Sequence, residues 1–220
     1  MTFTNLTTGA STATTTSYDT AVVSPTSNRL VLLAVGTDNG ASAAPTLVAS
    51  GCNLTFTEIA TLTDGGGTRR LSLFRALGNN PTSGVITITK NSSTPGLAWS
   101  VTQVSKMSLE GVNGANAIVQ SVTNTGSATT SLAVTLASFA SVNNSTFGCL
   151  FVNANFVLTP GSGFTELAKD QTQSTIQSQY KTTNDTGVDW SIASSAVMLG
   201  IAIEVRRAIV AGAAMAGAQY

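Results

Sequence analysis

This chain of 220 residues contains no histidine, so its candidate acid–base groups near neutral pH are carboxylates. They are Asp19, Asp38, Glu58, Asp64, Glu110, Glu166, Asp170, Asp185, Asp189 and Glu204. Two of them facing each other across a cleft would suit glycoside hydrolysis, and a β-sandwich hydrolase is the reading in which they do chemistry. Nothing in their spacing singles out such a pair, and one by one they read as turn-capping aspartates and solvated glutamates. Glu204 stands apart because it interrupts the apolar run Ile201–Val205. Alternation sets it opposite Leu199, Ile201 and Ile203, where solvent or the nearby Arg206 is its expected partner. Asp185 and Asp189, with Asn184 and Thr186, carry oxygens that suit calcium but lack EF-hand spacing. That stretch reads as an Asn-Asp-Thr-Gly turn, and no metal or cofactor is expected.

The other reactive side chains give as little. Cys52 and Cys149 lie far apart with no CxxC or CxxxH neighbour, which points to two buried thiols, leaves a disulfide open and disfavours zinc. The serines have no histidine to act as base and no SxxK motif. Gly65–Gly67 is glycine-rich, but it joins two strands and is not followed by Lys-Ser/Thr, so it is not a phosphate loop. Trp99, Trp190, Tyr18, Tyr180 and Tyr220 could stack against sugars, although they do not cluster in sequence and core packing explains them more simply. The sequons at Asn53 and Asn144 are expected by accident in so threonine-rich a chain.

The elements that carry these groups are strands. Arg29–Thr37 is a near-continuous apolar run, as expected of a strand buried on both faces. Asn53–Leu62 alternates, and Asp64-Gly65-Gly66-Gly67 then supplies a hairpin turn. Arg69–Leu77 comes next, with Leu71, Leu73 and Leu77 on one face. Val85–Thr89, Trp99–Leu109, Ala117–Val122 and Ser131–Phe139 are further strands, separated by Gly111–Gly114 and Asn124–Gly126. Phe147, Cys149 and Phe151 share a face, as do Val197, Leu199, Ile201, Ile203 and Val205. Phe164–Leu167 and Ile176–Tyr180 are short strands after the turn at Thr159–Gly163. No capped amphipathic helix and no repeat of fixed period is present. The pattern predicts an all-β fold: an antiparallel β-sandwich, jelly-roll-like, as a single domain with extended N- and C-terminal arms.

Three segments are expected. Residues 1–26 form an N-terminal extended arm or first strand, with low-complexity Thr7–Ser17 inside it. Residues 27–207 form the sandwich, and 208–220 an apolar tail that docks on a neighbour. The interface residues expected in or beside that tail are Ile209, Val210, Met215 and Tyr220, because an apolar segment alone in water is sticky. Ten basic residues balance ten acidic ones, and charged residues make up only 9% of the chain. Such a surface has no field to steer nucleic acid or an anionic membrane, and its weak colloidal repulsion favours a homo-oligomer. No signal peptide and no apolar stretch of membrane-spanning length is visible.

Ser27–Val35, Leu71–Leu77, Gly84–Thr89, Thr159–Leu167 and Ile201–Val205 together resemble a diffuse group of jelly-roll-like domains in phage structural proteins and some bacterial surface proteins. The resemblance spans most of 27–205 through strand patterns of low specificity. It implies a non-enzymatic virion structural protein, foremost a capsid decoration (cement) protein assembled in the host cytoplasm. The implied partners are the major capsid protein or other virion proteins, and no catalytic residues are carried over. A shell protein is a variant of that reading. The alternative is a carbohydrate- or receptor-binding module of a tail fibre or surface appendage.

Overall fold

The computed structural model describes residues 1–209 other than 41 and 173, and all but one of its elements are strands. In chain order they are β1 (Thr2–Ser11), β2 (Thr15–Asp19), β3 (Arg29–Asp38), β4 (Leu47–Gly51) and β5 (Leu54–Thr55). Next come β6 (Thr57–Thr63), β7 (Arg69–Gly78), β8 (Ile86–Thr94) and β9 (Leu97–Ser105). A 3₁₀ segment (Val112–Ala117) leads into β10 (Ile118–Thr135), β11 (Ser145–Val152) and β12 (Leu158–Pro160). The series closes with β13 (Thr165–Asp170), β14 (Thr175–Lys181) and β15 (Gly187–Val205). All pairings are antiparallel.

The strands form three sheets in the orders β1-β9-β3-β7-β6, β10-β15-β11-β14-β13 (with β12 on β15) and β2-β8-β4-β5. The first two stack as a sandwich. β1 and β9 lie against β13 and β14, β3 against β11 and β14, and β6 and β7 against β10 and β15. Leu30, Leu32, Leu71 and Leu73 from one sheet meet Phe147, Phe151, Leu199 and Ile201 from the other. Gly36 is obligatory there, since a Cβ would stand 2.0 Å from the Phe151 ring. The third sheet covers the opposite face of the first. Tyr18, Leu47, Ile86 and Ile88 close over Val31, Leu33, Val35 and Phe74. Covered on both faces, β3 is buried from Leu30 to Thr37, which is why its sequence is apolar without alternation.

A fourth layer comes from β10 and β15 themselves. Their inner halves pair Ile118–Gly126 with Met198–Val205, and their outer halves Ser131–Thr135 with Gly187–Ser191. Between the halves, β15 advances from 191 to 196, five positions, while β10 advances from 129 to 131, two. So unequal a register bends the ribbon sharply. Its outer half then lies over the outer face of its own sheet. Trp190 and Val188 rest on Gly148, Leu132 and Val134 rest on Gly200, and the contact encloses a third apolar cluster.

Several expected boundaries move. Asn53–Leu62 is two strands in different sheets, because the chain crosses from the third sheet to the first at Phe56. The turn expected at Asn124–Gly126 is the entrance to the bend within one 18-residue strand. Residues 2–11 and 15–19 form strands paired to β9 and β8.

Candidate interaction surface

Glu204 organises one end of the sandwich. It lies on β15 opposite Ile203 and Val205, but it meets neither solvent nor Arg206: it is fully buried. Oε1 accepts from the Ala140 backbone N–H (3.0 Å) and Asn144 Nδ2 (2.6 Å), and Oε2 accepts from Gln120 Nε2 (2.7 Å). Three N–H donors make a polar cage that offsets the cost of burying the carboxylate. Gln120 also clamps both backbone groups of Ala137. The loop between β10 and β11 is thereby strapped down onto β15.

The same network fixes the chain after β15. Asn144 Oδ1 accepts from Arg207 N–H (3.1 Å), and Arg206 N–H donates to Ala117 O (2.8 Å). Ser108 N–H donates to Arg206 O (2.9 Å) and Ala208 N–H to Lys106 O (3.0 Å). The chain is therefore anchored up to Ala208. A cleft of about 600 Å³ opens on one side of this segment, against Ala140–Asn144, and one of about 260 Å³ on the other, against Ser108–Glu110.

Ile209 and Leu109 line the clefts and Val142 sits between two lining residues, while Val112 is exposed on the 3₁₀ segment. Ile209 is 92% exposed, Val112 88%, Val142 73% and Leu109 51%. Val112 is held outward by its neighbour Asn113. That side chain accepts from Leu77 N–H (2.8 Å) and donates to Thr55 O (2.6 Å) and Thr57 Oγ1 (2.9 Å). Asn113 and Gly114 both adopt positive φ here, and Gly114 packs so closely on Leu30 and Leu77 that a side chain would crowd them. Lys106, Arg206 and Arg207 give this end a positive rim in which Glu110, in the smaller cleft, is the opposing charge. Partial burial, then the charges of Arg207 and Lys106, hold the α-amino group of Met1 below its ordinary range.

Comparison with protein-family models, curated proteins and solved structures finds no match to this chain.

The remaining expected site residues take up structural positions. Asp64 accepts from the Thr68 and Arg69 backbone N–H groups and from Arg69 Nη1 (2.9 Å), closing the glycine turn between β6 and β7. Burial alone would push its carboxyl up, but those donors and the guanidinium charge outweigh it and hold the carboxyl below the usual range. Asp185 shows the same balance, with burial opposed by Lys181 Nζ (2.6 Å) and Gly187 N–H. It caps a turn and is paired with Lys181. Among the described residues no three His, Cys, Asp or Glu side chains stand together as metal ligands.

Cys52 and Cys149 are free, buried and in separate apolar clusters. Burial pushes both thiols up. Trp99, Trp190 and Tyr18 are buried, and the Tyr180 ring stacks on Phe3 at 4.7 Å, so these four offer no exposed platform for a sugar. Of the expected interface residues, Ile209 is the exposed aliphatic beside both clefts. Val210, Met215 and Tyr220 lie outside the described residues. Sequence reasoning missed Gln120, Asn144, Leu109, Val112 and Val142. The valines are indistinguishable in sequence from strand residues, and the two amides lie 24 residues apart, with no local signal that they converge on Glu204.

Proposed function

We propose that this protein is a non-enzymatic structural component of a virion, foremost a capsid decoration protein that stabilises a shell through contacts between subunits. The observation that carries the reading is the end of the sandwich built around Arg206–Ile209. It joins three exposed aliphatic side chains (Leu109, Val142 and Ile209), two clefts and the start of a segment with no charged side chain, on a hydrogen-bonded frame. Exposed apolar groups gathered in one place mark association surfaces. Four of the ten acids are engaged structurally: Glu204 cages a loop, Asp64 and Asp185 close turns, and Glu166 binds Lys169 and Gln177. The resemblance to jelly-roll-like phage structural domains supplies the context of a virion, with the major capsid protein or other virion proteins as partners.

The carbohydrate-binding alternative loses its best argument with Trp99 and Trp190 in the core. A sugar would have to be held by other groups. Electron microscopy of native particles carrying the protein tests the proposal. Regular copies at fixed positions on an icosahedral shell support it. Isolated monomers in infected cells, with none on particles, overturn it.

A further inference from the structure

We infer that the two clefts flanking Arg206–Ile209 receive residues 210–220 of a second copy, so that two copies exchange tails reciprocally. This rests on the reading of the protein as one that works through subunit contacts, and it names the contact.

The root of the tail is held firmly. Backbone hydrogen bonds fix the chain up to Ala208, yet the next residue, Ile209, is 92% exposed. Residues 210–220, Val-Ala-Gly-Ala-Ala-Met-Ala-Gly-Ala-Gln-Tyr, have no charged side chain and mostly small ones. Their chemistry fits the clefts. Ala140, Ala208 and Ile209 give apolar wall, while Ser141 and Asn143 can hydrogen-bond the backbone of an extended peptide. The larger cleft, at about 600 Å³, lies within the range of sites that bury a drug-sized ligand.

Two-fold assemblies need one patch that carries both halves of the contact, because each copy presents the same surface to the other. Here donor segment and receiving clefts share one patch. The positive rim decides how the copies approach. Lys106, Arg206 and Arg207 outnumber Glu110, the acid that lines the smaller cleft, so the bare ends of two copies repel and the tail, with no charged side chain, is left as the bridging element. Screening by salt weakens that repulsion. Association should therefore tighten as salt rises, whereas binding of an acidic partner at the same rim would weaken.

Purified full-length protein, tested alone, decides the matter. One preparation carries Ser141→Cys, a second Met215→Cys, and the two are mixed and oxidised; the natural cysteines are buried and do not compete. The expected result is a disulfide-linked heterodimer, a two-fold particle by light scattering that tightens from low to high salt, and at least tenfold weaker association when 210–220 is deleted. The Ser141→Cys/Met215→Cys double variant closing its disulfide within one monomer overturns the inference, because the tail then fills its own cleft. So does a monomer at every salt concentration, or a dimer indifferent to the deletion. If the protein decorates particles yet self-associates in none of these tests, this inference fails while the structural function stands. If it exchanges tails but is absent from particles, the reverse holds.

Discussion

At the scale of single residues, Glu204 shows how an apparent exception in a strand pattern becomes a structural device. Alternation placed it correctly on the face opposite Ile203, but its partners were out of reach of that reasoning. They come from β10 and from a loop 60 and more positions away in sequence. Removing the carboxylate leaves three N–H donors without their acceptor, one of them on buried Asn144, so Glu204→Ala should cost about 3 kcal/mol. Glu204→Gln keeps the shape but faces one amide donor with another, and about 1–2 kcal/mol should be lost. Urea unfolding of both variants checks the order; equal losses would mean that bulk, not hydrogen bonding, matters. Asp64 gives a prediction in pH. Its folded carboxyl titrates below the unfolded value of about 3.9, so its stabilisation is complete above that value. It is lost as pH falls through the folded value. The unfolding midpoint should hold from about pH 7 to 5 and drop below about pH 4. Asp64→Asn should start about 2 kcal/mol lower at pH 7 and show a shallower acid decline.

At the scale of elements, apolar periodicity carried most of the reading, because it reports burial and burial is what the layers impose. β7, β11 and the inner half of β15 fall where their side-chain alternation places them, β3 falls where its unbroken apolar run does, and β8 runs five residues past its expected end. Where the reading broke down, a strand changed sheet or bent. A glycine near threonines at Asn124–Gly126 reads equally as a turn or as a bulge, and only tertiary contact chooses between them. The consequence is that Trp190 is a lid over Gly148 rather than a surface ring. Trp190→Ala should therefore cost about 3–5 kcal/mol by leaving a cavity under the folded-over ribbon. Hydrogen exchange should show the outer halves of β10 and β15 opening first, with β3 and β7 still protected. A Trp190→Ala protein of unchanged stability that had lost binding to a glycan would reverse that assignment.

At the scale of the whole molecule, the layers are closed by the described part of the chain. Among the described residues, the buried members of all three apolar clusters lie between 3 and 205, and the last backbone hydrogen bond is made by Ala208. Deleting 210–220 should leave the intrinsic unfolding free energy within about 0.5 kcal/mol of the full chain, as for changes away from a core. Association acts differently. A partner that binds only the folded state stabilises it by mass action, in proportion to the logarithm of its concentration over the dissociation constant. The full chain should then show a melting temperature that rises with protein concentration, and the shortened chain one that does not. At high dilution the two curves should converge. Calorimetry over a hundredfold range of concentration reads this directly: it separates a tail that ties copies together from one that props up its own sandwich, since only the second would depress melting equally at every concentration.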